Sequence, residues 1–397
     1  MIIAAEGRAT TETSHARAAA RGRLRLYAVA AIAAALFADS GAAQGGPAVA
    51  SAPAALSKAA GPRLGEISVV EVTITDRADL GRLTQAEYNV SRVRGNVVTI
   101  YATAEEVDAL RREGYTPLLK EIQPRPQGQP LPGGKGLGVY HTFATMVSDL
   151  NALAAAHPGI CRMTSLGRSV QGRDLWALRI TDNPDAEEGE PRVLFAGSIH
   201  GDEYVGGELC LYWADYLLGN YASNAQVAQD VNSSDIWIIP MANPDGWEAG
   251  TRFNAKGYDL NRSFPEGSTA NLGNPVYGPA MDTNGRPPEV VCLMQLATNH
   301  SFTLSVMYHT GALVVNYPYD NAGLGDVDSP TPDDALFEAV SHEYAVRNPP
   351  MYQNPEFPGG IVNGAAWYTI SGGLQDWNYR YAGCNNVTIE VSNSGRP

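Results

Sequence analysis

Apolar and polar positions follow two different rhythms along this chain. Ile67 to Thr75 alternates as a half-buried strand does, Asp79 to Glu87 can form a helix, and Val90 to Ala102 is a second extended stretch interrupted by Gly95. Thr103 and Glu106 make a capping box for a helix running to about Arg112, and Thr116 to Ile122 closes with another strand. That order, β-α-β-β-α-β, predicts a small α+β, ferredoxin-like domain over residues 65–123. From Tyr140 onward longer helical and extended segments alternate. Extended runs fall at Leu175–Ile180, Val193–Ile199, Ile236–Ile239, Phe302–Tyr308, Leu313–Tyr317 and Val387–Val391. Helices fit the stretch around Met146, Leu150 and Leu153, then Gly207–Leu218, Glu289–Thr298 and Asp334–Val346. This alternation predicts an α/β domain over residues 139–397, a mixed, mostly parallel sheet with helices on both faces.

Breaker residues mark the boundaries. The stretch 124–138 holds four Pro and five Gly and reads as a linker; no strand leads into its glycines, which argues against a dinucleotide loop. Arg21, Arg23 and Arg25 precede thirteen mostly apolar residues, Leu26 to Ala38, and small residues follow around Ser40 to Ala43. That is the layout of a removable export signal over residues 1–43, and the run is short for a membrane span. Residues 44–64, rich in Ala, Gly, Pro and Ser, suit a flexible leader. A secreted or periplasmic location follows, with no stable membrane insertion once the signal is gone.

Composition narrows the partners. Lys and Arg total 28 against 42 Asp and Glu, a formal net charge of −14, so a uniformly basic surface for nucleic acid is absent. Four widely spaced cysteines, Cys161, Cys210, Cys292 and Cys384, do not form a zinc-finger pattern. Disulfides, with three possible pairings, and buried thiols both remain open.

The candidate chemistry sits where apolar runs end. His200 and Glu203 follow the run Leu194 to Ile199, and His309 follows Phe302 to Tyr308. Strand exits at one rim of an open α/β sheet are where such folds bind ligands. A His and a Glu three residues apart are weak evidence alone. Two His and one Glu, however, form a zinc set with its fourth position open, the catalytic arrangement.

Four ordered motifs extend that set: His200-Gly201-Asp202-Glu203; Asn243-Pro244-Asp245-Gly246 through Arg252 to Asp259-Leu260-Asn261-Arg262-Ser263-Phe264-Pro265; His309-Thr310-Gly311 through Asn316-Tyr317-Pro318-Tyr319-Asp320; and Asn363-Gly364 through Tyr368 and Gly372-Gly373-Leu374-Gln375-Asp376 to Thr388-Ile389-Glu390. Together they resemble the zinc carboxypeptidase family, its N/E subfamily most closely, from Tyr140 to the end of the chain. The resemblance implies one zinc ion held by His200, Glu203 and His309. It implies Glu390 as general base and Arg252 as stabiliser of the developing oxyanion. Asn261 and Arg262 match the pair that grips a substrate's terminal carboxylate, where a guanidinium can bind two oxygens at once. Tyr368 matches a tyrosine that closes over substrate. Asp320, with Gln375 lining the same pocket, would select a C-terminal Lys or Arg.

The implied activity is hydrolysis of the C-terminal bond of peptides or proteins. A related zinc amidohydrolase acting on cell-wall or other peptides, and a non-catalytic peptide-binding relative, are the alternatives. No Gly-x-Ser-x-Gly elbow supports a serine hydrolase. Two positions depart from the family pattern: Ser263 stands where a second Asn is usual, and Thr310 where the subfamily has Gly. Only seven residues follow Glu390, so a further C-terminal helix usual in the family is expected to be missing, and residues 65–123 have the general shape of a pro-segment.

Overall fold

The computed structural model describes residues 62, 63, 65–123, 140–265 and 283–394. The expected export signal, most of the expected leader and the expected linker lie outside the described residues.

The first unit runs β1 (Ser68–Thr73), α1 (Arg77–Gln85), β2 (Asn89–Arg94), β3 (Val97–Ala102), α2 (Ala104–Arg112) and β4 (Leu118–Ile122). Its sheet has the order β2-β3-β1-β4, with each pairing antiparallel. Alternation explains the register: Val70 faces Ile100 and Val72 faces Val98, all four buried beneath Leu80, Leu83 and Leu110 of the two helices. The Thr103–Glu106 capping box is present. The first helix begins earlier than expected because Asp76 accepts from the N–H of Asp79 and caps it. The stretch Val90 to Ala102, interrupted at Gly95 as expected, is a hairpin of β2 and β3 that Gly95 turns with φ at 55°.

One boundary needs correction. Arg63 falls in the expected flexible leader, yet it is buried: its N–H bonds the Gly257 carbonyl at 2.9 Å and its guanidinium pairs with Glu106. A buried cation with a carboxylate partner is anchored, whatever the composition around it.

The second unit runs α3 (Phe143–Ala156), β5 (Cys161–Arg168), β6 (Asp174–Ile180), β7 (Arg192–Gly197), α4 (Tyr204–Asn220), α5 (Ala225–Asn232), β8 (Asp235–Ile239), α6 (Pro244–Ala249), α7 (Pro288–His300), β9 (Leu304–His309), β10 (Leu313–Tyr317), α8 (Asp334–Ala345), β11 (Ile361–Asn363), α9 (Gly364–Trp367), α10 (Leu374–Trp377) and β12 (Asn385–Val391), leaving aside the short pieces Leu260–Arg262, Pro349–Tyr352, Pro358–Gly360 and Asn378–Ala382. The eight-stranded sheet has the order β11-β10-β12-β9-β7-β8-β6-β5, and β12, β9, β7 and β8 are parallel neighbours. One core packs α3, α4, α5 and α8 on one face; another packs α7 and Trp377 on the other. The sheet is therefore mixed, flanked by helices, as expected. The alternation argument missed β5: it is an edge strand in which only Cys161 is buried, so it shows no buried period. It also missed α5, capped by Asn224, and the three-residue β11.

A third apolar cluster joins the units. Ala312, Val314, Phe357 and Trp367 of the second pack with Val90, Val93 and Val98 of the first. The four cysteines are all buried free thiols, which settles the question their spacing left open. Under non-reducing conditions a thiol reagent should label none quickly in the native protein and all four after denaturation, and reductant should leave Tm unchanged. A disulfide-linked peptide in a non-reduced digest would contradict this arrangement.

Candidate active site

Parallel neighbours bring the site residues to one rim. His200 lies three residues beyond β7, Glu203 stands at the start of α4, and His309 ends β9. Glu390, on β12, pairs in register with His309 on one side and Val314 on the other. The loop carrying His200 passes so near α6 that a Cβ on Gly201 would sit 2.0 Å from the Gly246 carbonyl carbon. Only glycine permits that approach, which holds the loop against the rim.

Both imidazoles turn Nδ1 toward one carboxylate. His200 Nδ1 is 2.8 Å from Glu203 Oε1, His309 Nδ1 is 3.0 Å from Glu203 Oε2, and the ring centroids are 4.8 Å apart. All three residues are buried, and one donor atom from each lies within 4.8 Å of the others. Two nitrogens and a carboxylate, converging and buried, fit a zinc ion with three protein ligands. The far nitrogen of His200 contacts Asp259 Oδ1 at 3.2 Å, the carboxylate–histidine support usual behind a metal-ligating imidazole. His309 Nε2 is buried with no hydrogen-bond partner among the described residues.

Asp259 is the hub that sequence reasoning passed over. Its other oxygen accepts from Arg252 Nε at 2.9 Å, and Oδ1 accepts from the Asn261 N–H at 3.0 Å. Its place inside the Asp259-Leu260-Asn261-Arg262 motif was a signal; its complete burial was invisible. Burial would raise its pKa, but Arg252 and His200 overcome that and hold the carboxyl well below its ordinary range. Glu203 follows the same logic: burial opposes its charge and the two imidazoles restore it. Glu390 goes the other way. Burial, reinforced by the charge of Glu203, pushes it well above the usual carboxylate range, and its Oε2 has no hydrogen-bond partner among the described residues.

Nine of the ten expected residues line one cleft of about 400 Å³: His200, Glu203, His309, Glu390, Arg252, Asn261, Arg262, Asp320 and Tyr368. Gln375 stands behind its wall, donating to Asp320 Oδ1 at 3.0 Å. Asp320 lies in the loop after β10, where a Cβ on Gly364 would sit 2.0 Å from its carboxylate oxygen. Glycine there leaves the carboxylate room to point into the cleft. Arg252 lies 3.7 Å from Glu203, and Asn261 accepts from the Leu374 N–H at 2.9 Å.

Strand β2 of the first unit reaches into the same cleft. Arg262 Nη2 donates to the Val90 carbonyl at 2.8 Å, and Tyr368 Oη donates to the Ser91 carbonyl at 3.1 Å. Asn89 Nδ2 donates to Asp259 at 2.9 Å, and Trp367 Nε1 donates to the Val93 carbonyl. Main-chain carbonyls leave no sequence signature, so these contacts could not have been read from residue types.

Comparison with known proteins gives the family of the chain. Residues 146–397, more than half of the chain, match the family model described as zinc carboxypeptidase. Carboxypeptidase D of Rattus norvegicus is 38% identical over 272 residues, covering 64% of this chain and 19% of the relative, so the chain spans about a fifth of that protein. Carboxypeptidase M of Mus musculus is 36% identical, covering 64% of this chain and 59% of the relative. The crystal structure of carboxypeptidase A from Helicoverpa armigera shares the fold, with a TM-score of 0.60 at 18% identity, covering 82% of this chain and 88% of that one.

Among the described residues, none of the helices is long and apolar enough to cross a membrane. Zinc competition against a chelating indicator should register one site; His309→Ala should abolish tight binding, and Asp259→Asn should weaken it by about 10- to 100-fold. Unaltered affinity in both variants would place the metal elsewhere.

Proposed function

The chain belongs to the zinc carboxypeptidase family, and we propose that it removes a C-terminal Lys or Arg from peptides outside the cytoplasm. The observation that carries this reading is convergence: a zinc set, a buried carboxylate with one oxygen unpartnered among the described residues, a guanidinium pair and a buried aspartate face one cleft. A zinc ion held by His200, Glu203 and His309 supplies Lewis-acid charge for the scissile carbonyl and for activation of water.

The chain's own residues divide the remaining work. Glu390 takes a proton from the attacking water as the water oxygen bonds the carbonyl carbon, and delivers that proton to the amine nitrogen as the C–N bond breaks. Arg252, fixed by Asp259, faces the negative charge that develops on the carbonyl oxygen. Arg262, with Asn261 beside it, receives the terminal carboxylate, which restricts cleavage to chain ends. Tyr368 covers the bound residue. Asp320 is a buried carboxylate in want of a cation, and the side chain of a C-terminal Lys or Arg supplies one. Loss of a zinc ligand or of Glu390 would mark a binding-only relative, and all four residues are present.

We further propose that residues 65–123 hold the site shut until the chain is cut within 124–138. Support comes from β2, whose Val90 and Ser91 carbonyls occupy the two side chains that substrate would engage. The basic and apolar N-terminal segment supports export.

The test uses peptides ending in Arg, Lys, Leu, Phe or amidated Arg, before and after cutting at a protease site introduced into 124–138. Free C-terminal Arg and Lys should be released after the cut, amidated Arg should not, and a chelator should stop the reaction. Glu390→Gln should lower kcat by about 10²- to 10⁴-fold. Asp320→Asn should lower kcat/KM for Arg substrates by roughly 30-fold, the lower end of what breaking a buried charge pair costs. Full activity of Glu390→Gln would reject the mechanism, equal activity before and after cutting would reject the covering role, and release of every terminal residue alike would reject the pocket.

A further inference from the structure

Asp376 follows Gln375 on α10 and has no role in the reading above. Its carboxylate reaches the loop after β10, where Oδ1 accepts the Asp320 N–H at 2.8 Å and Oδ2 accepts the Asn321 N–H at 3.0 Å. Gln375 meanwhile binds the carboxylate of Asp320. Two successive side chains of one helical turn thus hold the main chain and the side chain of a single aspartate. Arg380, one turn further, closes the arrangement: it donates to the Asn321 carbonyl at 2.6 Å, lies 4.2 Å over the Tyr319 ring and sits 3.8 Å from Asp376.

A neutral acceptor could restrain the loop as well, so the choice of a carboxylate adds charge. Asp320 is 4% exposed, its Oδ1 accepts from Asn316 and Gln375, and it makes no ion pair among the described residues. The charged side chains facing it are Asp376, Arg262 from the turn Leu260–Arg262, and Arg380; Tyr368 adds a buried phenol. Burial first and Asp376 second push the Asp320 carboxyl well above the ordinary range, while Arg262 and Arg380 pull it down. Asp376 is itself raised by burial, with Arg380 opposing.

We propose that Asp376 is a specificity-determining positioning residue, a second negative charge behind the pocket floor that fixes the Asp320 backbone and reserves its charge for a cationic side chain. Arg380 sets how strongly Asp376 acts. This rests on the reading of Asp320 as the partner of a C-terminal Lys or Arg. With the pocket empty or filled by an apolar residue, Asp320 keeps a proton at lower pH and tolerates that residue. A guanidinium or ammonium draws the proton off, and its ion pair is the reward for a basic residue. Because the floor carboxyl is raised, preference for Arg over Leu grows as pH rises through its titration.

The test measures kcat/KM for matched peptides ending in Arg and Leu from pH 5.5 to 9, on the full chain cut within 124–138. Asp376→Asn removes a negative neighbour and should move the rise in Arg preference to lower pH by about one unit. Arg380→Gln removes a positive neighbour and should move it to higher pH. A carbon-13 titration of the Asp320 carboxyl in the uncut chain should show the same opposed displacements without needing an open cleft, and Arg380→Gln keeps the test alive if Asp376→Asn fails to fold. Parallel losses for both peptides, with unmoved midpoints in both experiments, would mean a merely structural clamp and overturn the proposal. Asp320→Asn separates the two readings. If it leaves Arg preference intact, the pocket reading falls and this proposal with it. If it abolishes the preference while the other two variants match the wild type, the positioning role alone falls.

Discussion

A carboxylate removed from water must be answered by positive charge or hydrogen bonds, and the second unit is arranged around one such debt at Glu203. Two imidazoles face its two oxygens, Arg252 stands 3.7 Å away, and the Thr310 N–H adds a fourth contact at 3.2 Å. None of these partners is near it in the chain except His200. His200 comes from the exit of β7, His309 and Thr310 from the exit of β9, and Arg252 from the loop after α6, so the cluster exists only if β7 and β9 lie side by side and parallel. Breaking a buried network of this kind by removing one partner strands the others, which makes the site and the sheet register mutually dependent.

The same constraint propagates outward. Asp259 supports His200 and Arg252 together, and Asn89 of the first unit donates to the oxygen that Arg252 also uses. The first unit therefore touches the hub of the site as well as its entrance. Its apolar cluster with Trp367 and Phe357 supplies area, while Arg262 and Tyr368 supply direction, through hydrogen bonds to carbonyls of β2. Charged and polar groups are costly to bury bare, so a strand offering carbonyls to Arg262 and Tyr368 stabilises the packing of the first unit against the cleft.

Legibility in the sequence tracked the kind of signal each element carries. The convergence of His200, Glu203 and His309 could be read because His200 and His309 follow or end apolar runs, and because the surrounding motifs are long and ordered. The first unit's strands and the Thr103–Glu106 cap could be read because alternation and capping are local. Strand β5 could not, since an edge strand with one buried side chain has no period to detect. Arg63 misled for the opposite reason: a Pro- and Ala-rich neighbourhood masked one anchored cation. Asp259 and Asp376 were in view within their motifs, but what distinguishes them is burial and partners contributed by distant segments. The contacts of Val90 and Ser91 are made by main chain, which every residue type possesses, so composition holds no trace of them.

Glu390 ties the metal to the proposed proton transfer through charge alone. Beside Glu203 and out of water, its carboxyl is pushed toward the protonated form, which cannot accept a proton. A dication among His200, Glu203 and His309 reverses the local balance, neutralising Glu203 and favouring the carboxylate of Glu390. By linkage the reverse holds too: ionised Glu390 favours the cation, and protonated Glu390 disfavours it. The net charge of −14 says nothing about this, because what decides it is one buried carboxylate and two buried imidazoles within 4.8 Å. With Glu390 as the proposed proton acceptor, that acceptor and the metal site form one thermodynamic unit.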